Sequence, residues 1–370
     1  MYSPPYLLSA LAALTTLHGH NGARARILVQ LPGASESALA GILAIVRELA
    51  SGHPAVEQVD GMTDRQLEAS PIEALLGEHY DEFLYAHDGT GSVCRRLAAA
   101  YPAARRICIG DALGMIYPAD FLAAYRPRRP FALGDWMRAT VGAIGLRSRE
   151  LNPIVPQKAA LVLPVDPSGR GLAGLELVCC PKREFLDAVN HCHANARALR
   201  EYMSGLLLRF DGRKRYLMLT ETYAEAGHLP PTREIDMYAE IVRKHCTPGS
   251  VVLIKPHPLE STGKAERIAR ATGGGYEVVG IEPMFGRYPI EVWEELVRGC
   301  TVISSAYPVL SLKYTHGIDV VQPMDEAMIE RWIDPAFRRW ARDSLQLYME
   351  PLERLKSWDG RSVLWPPERA

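Results

Sequence analysis

The chain has 370 residues, more than one ordinary domain holds and enough for two or three at roughly 150 residues each. Its 48% hydrophobic and 23% charged residues exclude a disordered, collagen-like or small disulfide-built protein. With 42 Lys and Arg against 43 Asp and Glu, the net charge of −1 lacks the basic excess of a nucleic-acid wrapper, and no nucleic-acid partner is expected. Seven scattered cysteines, an odd number, suit a reducing cytoplasm better than a disulfide framework.

The first apolar run, 6–17, follows Ser3-Pro4-Pro5 and has no basic residue ahead of it, unlike a secretory signal. It is also shorter than the roughly 20 apolar residues that cross a bilayer, so it predicts a buried helix of a soluble, cytoplasmic protein. A strand is predicted at 25–31 and a helix at 35–50 capped by Ser35; strands follow at 82–86 and 106–110 with a helix at 92–100 between them. The Arg- and Pro-rich stretch 125–156 has no clean period and reads as irregular. Strands return at 161–163 and 176–179, and a long helix is expected at 182–208. A second series begins with strands at 215–220 and 251–255 and a helix at 232–245 between them. Strands at 276–279, 301–303 and 320–321 complete it, with a helix at 289–298.

Strands separated by helices predict parallel sheets in an α/β fold. The expected organisation is two Rossmann-like domains, 1–210 and 211–330, with a helical tail at 331–370 that places Phe337, Trp340, Leu345 and Met349 on or near one face. In such sheets ligands sit beyond the carboxyl ends of the strands. Three polar groups fall there: Gly110-Asp111-Ala112-Leu113-Gly114, Lys255-Pro256-His257-Pro258, and Ser304-Ser305.

Two prolines hold His257 in a stiff turn beside the Lys255 cation. Ser304 and Ser305 add hydroxyls, and the helix after them adds backbone N–H groups. Together these make a phosphate site. Each alone is an ordinary strand-end turn or a serine cap. Asp111 sits among small residues that allow a ligand's close approach, and it can take a proton from a hydroxyl or simply form an Asx turn. Asp88, in a turn-rich stretch, is its rival.

These three motifs, in this order, resemble those of bacterial sialyltransferases, particularly the polysialyltransferase-like group, over most of the chain from Ser3-Pro4 through Tyr307. That family carries a paired-acid motif, a His-Pro motif and a Ser-Ser/Thr motif. The resemblance implies the GT-B fold: two Rossmann-like domains facing a central cleft, with a C-terminal helix crossing back to the N-terminal domain. It implies Asp111 as the base that deprotonates the acceptor hydroxyl, and His257 as the residue that hydrogen-bonds or protonates the phosphate of departing CMP. Ser304 and Ser305 would hold that phosphate, Lys255 and Pro258 would belong to the same nucleotide site, and Glu291 would bind the ribose. The chain departs from the family at Gly110, where a first acidic residue would stand, and at Ala112, where glycine would.

The expected activity is inverting, metal-independent transfer of sialic acid or a related nonulosonic acid from a CMP-sugar to an oligo- or polysaccharide acceptor such as capsule or lipopolysaccharide. The CMP-sugar is substrate, and no cofactor is expected. Alternatives are a Kdo or other sugar-nucleotide transferase, a GT-B sugar-nucleotide epimerase, and a non-catalytic nucleotide- or glycan-binding protein. No metal site is expected: Cys179-Cys180 and His191-Cys192-His193 lack zinc-ligand spacing, and Gly273-Gly274-Gly275 precedes a strand rather than opening a helix. Arg126–Arg129 and the Arg338-Arg339-Trp340-Arg342 group are candidates for peripheral contact with the inner membrane face. A solvated loop and a packed helix are the favoured readings of the two.

Overall fold

The computed structural model describes residues 4–19, 22, 24–30, 36–63, 66, 71–77, 79–86, 92–110, 113, 156–163, 174–257, 260 and 263–355. Met1–Ala188 makes up most of one compact unit and Val189–Asp359 the other. Both are α/β with parallel sheets, the class that the alternation of elements predicts.

In the first unit, α1 (Pro5–His18) opens with proline, whose missing N–H is no loss in a first turn, and buries Leu7, Leu8 and Leu11. β1 (Ala25–Gln30) and β2 (Val56–Met62) pair in parallel across α2 (Glu36–Ala50), whose Leu39, Ile42, Val46 and Leu49 form one buried face. After α3 (Ile72–Leu76), a separate parallel sheet holds β3 (Glu82–Tyr85), β4 (Arg105–Cys108), β5 (Lys158–Leu161) and β6 (Glu176–Cys179), in that spatial order, with α4 (Ser92–Ala100) joining β3 to β4. β2 has no apolar run to announce it: Glu57 and Gln58 are exposed, as befits an edge strand. β5 lies three residues ahead of the expected start at 161.

The expected helix 182–208 is two helices, α5 (Lys182–Asn195) and α6 (Arg197–Arg209), broken at Ala196. α6 belongs with the second unit, about twenty residues ahead of the expected boundary at 210. Arg215 Nη1 donates to the Leu207 and Phe210 carbonyls at 3.0 and 3.2 Å, and Tyr202 stacks on Phe285 with ring centroids 4.2 Å apart.

The second sheet contains β7 (Arg215–Leu219), β8 (Val251–Lys255), β9 (Glu277–Gly280) and β10 (Thr301–Ile303), all parallel, in the order β10-β7-β8-β9. Every residue of β8 is buried, as in a strand covered on both faces. Val321 extends the sheet through one parallel bridge to Ile303. The helices are α7 (Pro231–His245), α8 (Lys264–Thr272), the short α9 (Pro283–Gly286), α10 (Glu294–Gly299), α11 (Pro308–His316), α12 (Glu326–Trp332) and α13 (Arg338–Leu355). Ile235, Tyr238, Ile241 and Val242 of α7 pack with Ile254, Ile268 and Met328 in one core. Phe337, Trp340 and Leu345 pack on that same core, so the described part of the tail lies on the second unit. Residues from 356 onward, on which a crossing back depends, lie outside the described residues.

Candidate functional site

The chain leaves β7 towards β8 and β9 on one side and returns to pair on the other side as β10. Such a switch point opens a crevice at the carboxyl ends of the strands. Three segments end there: Thr220-Glu221 after β7, Lys255-Pro256-His257 after β8, and Ser304-Ser305 after β10. Tyr223 joins two of them, its hydroxyl donating to Ser305 Oγ at 2.9 Å.

Lys255 is not the open cation that its place at a strand end implies. It is buried, its Nζ donates to the Gly286 carbonyl at 2.6 Å and lies 5.5 Å from the centre of the Trp293 ring. Burial lowers its pKa to about 8, against the pull of Glu291, Glu260 and Glu221. His257 is half-buried, and burial, then the charges of Lys255 and Lys264, depress it to about 4. Its imidazole is therefore neutral at neutral pH, with one ring N–H to donate. Pro258 lies outside the described residues.

Ser304 is buried; its N–H donates to the Val321 carbonyl at 3.1 Å and its Oγ accepts from Ala306 N at 3.4 Å. That hydroxyl braces the turn into α11, the structural role a strand-end serine can have without any ligand. Ser305 is the more exposed of the two, half-buried. Glu291 falls in a 3-10 turn (Ile290–Val292) rather than in the expected helix 289–298. Its side chain is buried, Oε1 accepts from Ser311 Oγ at 2.5 Å, and Oε2 has no hydrogen-bond partner among the described residues. A buried carboxylate oxygen left over in this way is a ready acceptor for a hydroxyl.

Sequence reasoning missed a second constellation at the same strand ends. Lys264, 2% exposed, lies 3.0 Å from the Glu221 carbonyl, 2.9 Å from Glu234 Oε2, 3.2 Å from Glu225 Oε2 and 3.3 Å from Glu260 Oε1. Burial raises the Glu260 carboxyl to about 7 despite Lys264, and burial with the Glu260 charge raises Glu221 to about 8. A signal was there: Lys264 shares the buried face of α8 with Ile268 and Thr272, an ion at an apolar position of a helical stripe. Gly263, at φ 78°, supplies the left-handed turn that aims it inward.

Asp111, Ala112 and Gly114 lie outside the described residues, as does Asp88. Gly110 is described at a φ of 70°, a left-handed position where an L side chain is strained. The first unit also holds a cavity of about 690 Å³, lined by Tyr6 and Leu14 of α1, Ile27 of β1, Phe83 and Tyr85 of β3, and Leu97 of α4. None of the expected site residues lines it. Among the described residues no three His, Cys, Asp or Glu side chains group to hold a metal, the carboxylates at Lys264 being gathered on its ammonium. His193 bonds instead to the Val292 carbonyl at 3.0 Å and pairs with Glu295 at 3.2 Å. No helix among the described residues is long and apolar enough to cross a membrane.

No protein-family model matches the chain, and no curated protein matches it. Its fold is similar to that of the α/β-galactoside α-2,3-sialyltransferase of Photobacterium phosphoreum, at 11% identity and TM-score 0.47, covering 94% of each chain. It is also similar to the UDP-GlcNAc 2-epimerase of Neisseria meningitidis bound to UDP-GlcNAc, at 12% identity and TM-score 0.47, covering 83% of this chain and 76% of that one. For S. aureus MnaA with UDP the values are 13% and 0.45, covering 83% and 74%. At these levels the likenesses carry no argument about activity.

Proposed function

We propose that the chain is an inverting glycosyltransferase that moves a sialic or related nonulosonic acid from a CMP-sugar to a glycan acceptor, without a metal. The observation that supports it most is that His257 and Ser305 follow the carboxyl ends of β8 and β10, the strands on either side of β7, with Glu291 held against α11 in the same unit. CMP leaves with a single phosphate, whose developing charge an imidazole N–H, a serine hydroxyl and helix N–H groups can meet. Glu291 Oε2 would accept from a ribose hydroxyl, and Ser304 would hold the turn. Lys255 acts through Gly286 and Trp293 rather than by direct contact. Asp111 is the proposed base for the acceptor hydroxyl, attacking opposite the phosphate and inverting the anomeric carbon.

One observation favours a second reading, a sugar-nucleotide epimerase. Glu260 and Glu221 titrate near neutrality, where carboxyl groups shuttle protons well.

Calorimetric titration with CMP, CDP, UMP and UDP, with and without EDTA, tests the donor class. The transferase reading expects selective, EDTA-insensitive CMP binding; preference for UDP overturns it. Full activity in Asp111→Ala would remove that residue as base. An epimerase converts its sugar nucleotide with no acceptor present, whereas a transferase at most hydrolyses it slowly.

A further inference from the structure

The ammonium of Lys264 is the meeting point of two paths that end on the two proposed phosphate contacts. Along the first, Lys264 Nζ lies 3.3 Å from Glu260 Oε1, and Glu260 N donates to the His257 carbonyl at 3.0 Å. Along the second, Lys264 Nζ lies 2.9 Å from Glu234 Oε2, whose other oxygen accepts from Tyr223 N at 3.1 Å. The Tyr223 hydroxyl then donates to Ser305 Oγ at 2.9 Å. A further bond from Lys264 Nζ to the Glu221 carbonyl, 3.0 Å, ties in the end of β7. One buried group thus spans the loops after β7 and β8 and reaches the loop after β10 through a single tyrosine.

We infer that Lys264 is a positioning residue that fixes His257 and Ser305 relative to each other, without touching the substrate. The naming of those two as phosphate contacts rests on the proposed function; the bracing itself does not. Two considerations favour bracing over plain stability. Burying an ammonium with several carboxylates gains little against well-packed apolar side chains, so holding loops in register is what such a cluster adds. The three loops carry few apolar anchors of their own at this end: the residues after β7, β8 and β10 are Thr220-Glu221, Pro256-His257 and Ser304-Ser305. Phosphoryl-type leaving groups are sensitive to such placement, since a displacement of about 1 Å can cost about 100-fold in rate.

The test compares Lys264→Met, Glu260→Gln and Tyr223→Phe with the unaltered full chain. The His257 C2–H resonance of the ligand-free protein reports the first path, and calorimetry with CMP and with cytidine reports the phosphate contacts. Lys264→Met is expected to shift the His257 resonance, weaken CMP about tenfold or more, and leave cytidine unchanged. Tyr223→Phe is expected to leave the His257 resonance in place and weaken CMP by a smaller factor. Glu260→Gln, which keeps an acceptor for Lys264, is expected to retain most of the wild-type behaviour. A Lys264→Met protein with wild-type His257 resonance and CMP affinity overturns the inference. If Lys264→Met does not fold, Lys264→Met with Glu234→Gln removes one charge of each sign and is read instead by the same criteria. If the unaltered chain binds no CMP, the functional reading fails; an unchanged His257 resonance in Lys264→Met still overturns the bracing.

Discussion

Ser311 of α11 donates to Glu291 Oε1 at 2.5 Å, with both side chains closed off from solvent. The bond aims one carboxylate oxygen at a helix and leaves the other with no protein partner among the described residues. His316 holds the same turn from its backbone side, its Nε2 lying 2.8 Å from the Glu291 carbonyl. The carboxylate is thus fixed by its neighbours while half of its hydrogen-bonding capacity stays open.

If that open oxygen takes a ribose hydroxyl, Glu291→Gln weakens CMP binding and leaves inorganic phosphate binding unchanged. A charged hydrogen bond of this kind contributes about 1.5–3 kcal/mol, or roughly 10- to 150-fold in affinity. Calorimetry on the two ligands reads the split. Equal weakening of both ligands would place Glu291 in general architecture instead.

Stability against pH follows from four shifted groups. His257 and His228 are held near 4 by burial, against an ordinary 6.5. Between those values the unfolded chain binds protons that the fold refuses, so their contribution is lost as pH falls. Glu260 and Glu221 run the other way. Raised from 4.5 to about 7 and about 8, they keep protons in the fold that the unfolded chain has released. Their contribution is lost as pH rises. The two pairs offset one another between about 4.5 and 6.5, and above that window the carboxyl pair acts alone, so Tm is expected to fall from pH 6.5 to 8. Glu260→Gln should shorten that fall in a thermal-shift series. A Tm that climbs between pH 6.5 and 8 contradicts the assignment.

Much of the second unit was legible because its strands are short apolar runs ending in polar punctuation, and β7, β8 and β10 each match a predicted run to within a residue or so. β2 was not, since an edge strand with Glu57 and Gln58 exposed has neither a continuous apolar run nor strict alternation. Among the candidate site residues, the local motifs place His257 and Ser305 at strand ends but do not foresee the burial of Lys255 and Ser304. Their sequence neighbours gave no hint of the Gly286 carbonyl or the Ala306 N–H that claims each. The Lys264 cluster draws on residues from 221 to 264, and a contact across that span is invisible to spacing along one helix.

Gly110 offers a direct check on why the acidic motif is single. At φ 70° an L residue is strained by about 1–2 kcal/mol, and asparagine tolerates the region better than alanine. Gly110→Ala should therefore lower the urea midpoint more than Gly110→Asn does. Equal stability of the glycine and alanine forms would mean that position 110 is free to carry an acid.

The tail is expected to be integral to the second unit. The Trp340 ring lies 3.8 Å from His228, itself buried, and packs on the core formed by α7 and α12. Trp340→Ala should cost about 2–3 kcal/mol, less than a fully buried tryptophan because this one is partly exposed. Denaturant unfolding followed at probes in each unit reads where the loss falls. Confinement to the first unit would refute the packing.

The last expectation concerns turnover itself. If His257 contacts the departing phosphate, it does so as a neutral imidazole, because burial and two lysine charges hold its pKa near 4. A neutral imidazole binds a bound phosphodiester modestly, through one N–H. As the sugar departs, the phosphate gains a charge and the same hydrogen bond strengthens. An interaction that grows along the reaction lowers the barrier more than it tightens ground-state binding. His257→Ala should then reduce turnover by about 100-fold or more while CMP affinity changes only a few-fold. Single-turnover transfer measured beside CMP calorimetry separates the two. Equal losses in both would make His257 a uniform binding contact.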